Sequence, residues 1–126
     1  MKKRAKWLRR LGLLAVVLAS GLAAGCDDDD DYDHDVPAGQ GSLVVDNFTV
    51  DRVRVYVDGE KMDSVGDGDH RYYDLAPGVH RVALDGDDTD RSWADDVDVL
   101  EGRLTVLEVR SAAFEYDDFD VRIYFD

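Results

Sequence analysis

From Gly41 onward the chain alternates between apolar and polar positions. In "RVRVYVDGE", residues 52–60, Val53, Val55 and Val57 take one parity, and Arg52, Arg54 and Tyr56 take the other. A strand with one buried face has this period of two. Asp58-Gly59 follows, and because Gly tolerates positive φ the pair predicts a tight hairpin. The same reading places short strands at "SLVVDNFTV" (42–50), "RYYDL" (71–75), "VHRVALD" (79–85), "SWADDVDVL" (92–100), "RLTVLEV" (103–109) and "DVRIYFD" (120–126). "EKMDSV" (60–65) is polar and predicts an edge strand. In "RLTVLEV" both parities are apolar, so that strand is covered on both faces or bulged. Val121, Ile123 and Phe125 share one face of the last strand. Pro77-Gly78 and Glu101-Gly102 mark further turns, and no window carries a helical stripe with caps. The expected fold is all-β, a small antiparallel β-sandwich of seven or eight short strands. About 85 residues can bury a usable core of modest stability.

The first 25 residues follow another pattern. "KKRAKWLRR" (2–10) is basic, and "LGLLAVVLASGLAA" (11–24) is apolar with small residues. That is the order of an export signal. The apolar run of 14 residues falls short of the roughly 20 that a spanning helix needs. The segment ends in "LAAGC" and holds the chain's one cysteine, Cys26, followed by five consecutive aspartates. A single cysteine cannot form an intrachain disulfide.

"LAAGC" resembles the lipobox of bacterial lipoprotein signal peptides, with small residues at Ala24 and Gly25 and Leu22 further out. The resemblance implies a diacylglyceryl group on the Cys26 thiol and cleavage before it. Two acyl chains hold a protein at a membrane where one does so only marginally. The expected organisation is a signal peptide over residues 1–25, an acidic disordered linker over 26–41 and a folded domain over 42–126. The expected place is exported, anchored to the cell membrane or envelope, facing the periplasm or exterior.

Charge narrows the partners. Residues 1–25 hold six of the 15 basic residues and none of the 29 acidic ones, so nine basic residues face 29 acidic ones in residues 26–126, a net of −20. Such a surface repels nucleic acid, whose binding depends on cationic groups meeting phosphates, and anionic lipid headgroups. Like charges in a row, as in residues 27–31, repel one another and extend the chain.

Three stretches of the folded part resemble a PEGA-type domain: Val55–Gly59 ("VYVDG"), Leu75–Val82 ("LAPGVHRV") and Val97–Gly102 ("VDVLEG"), following the Gly-started strand at Gly41. "DRVRV" stands where that family has its name-giving tetrapeptide. The resemblance runs from about Gly41 to Arg110. It implies a small β-sandwich module, common on envelope proteins, without a catalytic role, and a structural part for His80 within its "PG-x-H" turn.

The remaining chemistry is sparse. Asp85, Asp87, Asp88 and Asp90, in "DGDDTD", are weak candidates for calcium, which takes six to eight oxygens. Thr89 interrupts the EF-hand pattern, and a solvated acidic loop is the plainer reading. His34, alone among carboxylates, makes a poor transition-metal site. Ser42, Ser64, Ser92 and Ser111 lie in no nucleophile pattern. The triplet at Asn47 ("NFT") fits a glycosylation acceptor by coincidence. The expected function is that of a non-catalytic, lipid-anchored envelope protein, a structural or protein-interaction module without cofactor. Its partners are the membrane, through Cys26, and another envelope protein. The alternative is a module binding divalent cations or cell-wall glycan.

Overall fold

The computed structural model describes residues 32–112 and 117–126. The signal segment, Cys26, the aspartate run 27–31 and Tyr116 therefore lie outside the described residues, while residues 32–41 of the expected linker lie within them. Residues His34–Asp126 form one packing unit, which holds all the strands. They are β1 (Gly41–Asn47), β2 (Val53–Val57), β3 (Glu60–Lys61), β4 (His70–Leu75), β5 (Gly78–Gly86), β6 (Ser92–Val99), β7 (Leu104–Ser111) and β8 (Phe119–Phe125). They build two four-stranded sheets, ordered β4-β1-β7-β8 and β3-β2-β5-β6. The small all-β sandwich of seven or eight strands expected from alternation is the observed architecture, with eight strands among the described residues.

The alternation also states which side chains meet. In the second sheet, Val53, Val55 and Val57 face inward with Val82, Leu84, Val97 and Val99. In the first, Leu43, Val45, Leu107 and Val109 close the core from the other side, with Tyr73 and Phe119. Most of this apolar set is fully buried. Burying a Val or Leu side chain contributes roughly 1.5–3 kcal/mol, so this shared layer is the main source of stability.

One pairing breaks the antiparallel pattern. β1 runs parallel to β7, with Val44 beside Val106 and Val45 beside Leu107. Both strands are central in their sheet, and Val44 and Val106 are fully buried on its outer side while Val45 and Leu107 are buried on its inner side. "RLTVLEV" is thus covered on both faces rather than bulged. Across that outer side runs the row Tyr72, Val44, Val106, Tyr124.

Two strands end sooner than alternation alone suggests. β1 stops at Asn47, because the Asn47 side chain bonds the following loop (below), and Val50 is left 89% exposed in that loop. β3 keeps only Glu60 and Lys61, paired with Val57 and Tyr56, and Val65 rejoins Val53 as an isolated bridge. The β2–β3 turn has φ of 52° at Asp58 and 84° at Gly59. Two central residues with positive φ are what a two-residue hairpin of this twist requires.

At the start of β1 the backbone of Gly41 lies against the carbonyl of Leu100 and the Val99 side chain, where a Cβ would collide with both. Gly41→Ala is therefore expected to destabilise the fold by about 1–3 kcal/mol, the usual cost of overpacking. Denaturant titration of the variant against the parent measures this.

Candidate functional site

The connections sort to two ends of the sandwich. At one end lie the turns β2–β3, β4–β5 and β6–β7 and the chain entering β1. At the other lie the loops β1–β2, β3–β4, β5–β6 and β7–β8.

The turn end is held by His80. Its Nδ1 lies 2.7 Å from Asp58 Oδ2 and its Nε2 lies 2.7 Å from the Ala76 carbonyl. Both partners are acceptors, so the ring satisfies both only by donating from both nitrogens, as an imidazolium. The Ala76 carbonyl, foremost, and the Asp58 carboxylate raise the His80 pKa above its ordinary 6.5, while partial burial opposes them. Asp58 uses its other oxygen to accept from the Arg81 N–H at 2.9 Å. The His80 hydrogen bond, and then that amide, hold its carboxyl below the ordinary 3.8. One side chain thus ties the β2–β3 hairpin to the β4–β5 turn.

The loop end is organised by Asn47, fully buried at the end of β1. Its Nδ2 donates to the carbonyls of Asp51 (2.6 Å), Val65 (3.2 Å) and Gly66 (3.0 Å). Its Oδ1 accepts from the Thr49 amide at 2.9 Å and the Thr49 hydroxyl at 2.7 Å. The amide nitrogen that a glycosylation triplet would present is thereby consumed inside the fold. Nearby, Tyr73, pushed well above the usual phenol range by burial, donates its hydroxyl to the Asp63 carbonyl.

The acidic stretch 85–90 of the calcium expectation begins at the end of β5 and folds against Arg54. Asp85 closes β5 and pairs with Arg54 at 2.8 Å, and Asp87 reaches the same guanidinium at 3.3 Å. The Gly86 carbonyl accepts from Arg54 as well. Asp88 and Asp90 are exposed in the loop beyond. Two of the four candidates therefore converge, on a cation that the chain itself supplies. Among the described residues, no group of three or more His, Cys, Asp or Glu gathers closely enough to hold a metal.

His34, read from sequence as part of a solvated linker, lies on the outer side of β4. Its ring stacks on Tyr72 with centroids 4.3 Å apart and planes 11° apart, and its Nε2 meets Asp74 Oδ1 at 2.8 Å. His70 meets the same tyrosine edge-on. Tyr73 and Phe119 fill the core, while Phe48 and Phe125 are exposed, with the Arg110 guanidinium 4.2 Å from the Phe48 ring centroid. Sequence reasoning missed the Asn47 network and the His34 contact. The only signals were a buried-strand end followed by Thr two residues on, and a histidine within the acidic run, and neither names its partner.

No family model matches the sequence. No curated protein matches it either. Solved structures share its fold. One is the N-terminal domain of AlgF from P. aeruginosa, 14% identical, with a TM-score of 0.55 over 72% of this chain and 98% of that one. Another is the C-terminal domain of AlgF from P. aeruginosa, 16% identical, with a TM-score of 0.55 over 70% of this chain and 99% of that one. Both domains of one protein thus carry this architecture.

Two predictions arise from these braces. Asn47→Ala removes the shared donor to three carbonyls and leaves the buried Thr49 amide without its acceptor, a loss of about 1–3 kcal/mol for the unpaired amide, and is expected to lower the thermal midpoint. Calorimetry measures it. The His80 clasp has a defined pH window. A raised His80 pKa stabilises the fold fully below 6.5, and that contribution is lost as pH rises through the raised value. A lowered Asp58 pKa stabilises above 3.8 and is lost as pH falls through the lowered value. The clasp therefore contributes most between about pH 4 and 6.5. Thermal melts of the parent are expected to fall more between pH 6 and 9 than those of His80→Gln, whose profile flattens.

Proposed function

We propose that this protein is a non-catalytic, lipid-anchored envelope protein. It is exported by its N-terminal signal and held at the membrane by a diacylglyceryl group on Cys26. Its β-sandwich, PEGA-like in its turns, serves as a structural or protein-contact module. The observation that carries the non-catalytic part is what the close polar pairs do. His80 with Asp58 ties two turns together, Asn47 braces two loops, and Arg54 gathers the end of β5. Each of these contacts is made to backbone or to a partner from the same fold. A reacting group must instead be aimed at a space where substrate can sit.

The anchor reading is supported by sequence order: basic residues, a 14-residue apolar run, then Cys26. The docked His34 adds a dimension to it. The chain from Cys26 to His34 reaches at most about 28 Å at full extension, against roughly 50 Å for a tether running unbroken to Gly41. The module would then be held near the headgroups rather than far above them. Its aspartates favour a contact with a protein over one with an anionic lipid surface.

Cys26→Ser is expected to move the protein from the membrane fraction to the soluble exported fraction. The parent is expected to show an intact mass that begins at Cys26 and carries acyl chains. Equal membrane association of both proteins, or a parent mass beginning at Met1 without acyl groups, would overturn the anchor.

A further inference from the structure

Four strand edges bound the two sheets, and three are blunted. β3 is two residues long. β6 carries Asp95, Asp96 and Asp98, and Asp95 shares the inward parity of Trp93 and Val97. A charge on the inward row resists pairing with another strand. Along β4, Arg71 bonds the Ser64 carbonyl at 3.2 Å and the Tyr73 hydroxyl bonds the Asp63 carbonyl, so the 63–65 segment lies against it.

β8 differs. A bridge between Ser92 and Asp118 ties its approach to β6, and beyond that, among the described residues, no strand lies on its far side. Asp126 exchanges both backbone hydrogen bonds with Leu104. In an antiparallel pair this alternates, so even-numbered residues of β8 face β7. The amides and carbonyls of Val121, Ile123 and Phe125 point away from the sheet. The side chains of the same residues form an apolar row, in which Ile123 is 40% and Phe125 45% exposed.

We infer that β8 pairs antiparallel with β8 of a second copy about a two-fold axis at Ile123, joining the two four-stranded sheets into one of eight strands. In this register Ile123 meets its own counterpart, Val121 meets Phe125, and the three outward residues supply all the new backbone hydrogen bonds. On the outer face Arg122 meets Tyr124 of the second copy, with Asp126 of the second copy on the diagonal. Arg122 is suited to both. Its side chain is 75% exposed, with one guanidinium nitrogen 3.6 Å from Glu108 of its own chain, and it already lies 5.4 Å from the Tyr124 ring of its own chain. An axis at Val121 would require Phe119, which adjoins the bridge to Ser92, so the free length of edge selects the register. The contact is isologous and closes at two copies instead of running on into a fibre.

Charge opposes this pairing and makes it sensitive to salt. The chain is acidic, and Asp120 faces Asp126 of the second copy at each rim. Screening acts within about 8 Å at physiological ionic strength, so the dimer gains population as salt rises. The inference stands without the anchor, since it uses only the edge of the sandwich.

Cysteine cross-linking of the full chain tests it. Opposed residues in a hydrogen-bonded antiparallel pair lie about 5.5 Å apart between Cα atoms, within disulfide range. Ile123→Cys is expected to yield a dimer linked position 123 to position 123, identified by mass spectrometry of the linked peptide so that Cys26 does not contribute. Chains carrying Val121→Cys and Phe125→Cys are expected to link to each other when mixed, and Asp96→Cys on β6 is expected to give none. Sedimentation of the Cys26→Ser chain, which has no acylated cysteine, in 0.5 M salt is expected to give twice the monomer mass, on the order of 10-fold more dimer than the same chain carrying Ile123→Asp. A position-121 self-link, or a monomer mass at every salt and protein concentration with the melt intact, overturns the proposal. Neither readout depends on acylation, so a failure here is separate from a failure of the lipid anchor.

Discussion

The parallel pairing of β1 with β7 is the constraint on which the rest of the sandwich depends. It sets the two most apolar strands side by side at the centre of one sheet, where Leu43, Val44, Val45, Val106 and Leu107 are fully buried. Strands buried on both faces lose their alternation, and "LVV" in β1 and "LTVL" in β7 have lost it. Everything between them must leave the sheet and return. The chain does so by giving β2 and β3 to the second sheet, returning β4 to the far side of β1, and then giving β5 and β6 to the second sheet. A contact of this sequence separation carries a loop-closure cost before it is rewarded, so the central pair ties folding of the whole domain into one event.

The polar groups of the interior make sense as consequences of that arrangement. Parallel partners cannot be joined by a short turn, and β2 to β6 make the connection; the links at one end of the domain run over five to eight residues, longer than the turns at the other. A loop end inside a small fold leaves backbone carbonyls without strand partners, and such groups must be satisfied. From the last residue of β1, Asn47 adds a donor to the carbonyls of Asp51, Val65 and Gly66, beside the Val53 and Asp69 amides that reach the latter two. At the opposite end the turns are tight, and there His80 and Asp58 join two of them. The sandwich thus carries one amide hub and one charged clasp, at opposite ends, each under the strands it secures.

Charge distribution separates edges from core. Nearly all carboxylates sit in loops or on outward parities, where water screens them. Asp95 is the exception, on an inward parity of an edge strand. It is tolerated because, among the described residues, no strand pairs with β6 beyond the single bridge at Ser92, and its presence resists such pairing. β8 lacks such a guard. The apolar row Val121, Ile123 and Phe125 continues past the reach of the second sheet, which explains why two of the three are exposed although they carry core parity.

Much of this was legible in the residues themselves. Alternation over short runs located all eight strands, the Asp58-Gly59 pair specified its hairpin, and the mixed parity of "RLTVLEV" announced a strand covered twice. Such features depend on neighbours one to four positions apart, where side-chain direction and turn chemistry are local. The basic, apolar, cysteine and aspartate order of the N-terminus was likewise readable in the chain alone. Which strands become neighbours was not, nor the parallel sense of β1 and β7, because partners some sixty positions apart are chosen by how two apolar faces close over one another. For the same reason only the tertiary structure placed Arg54 between Asp85 and Asp87, His34 on Tyr72, and Asn47 beneath two loops. In each case the deciding energy belongs to a contact between distant segments, and no single stretch of sequence contains it.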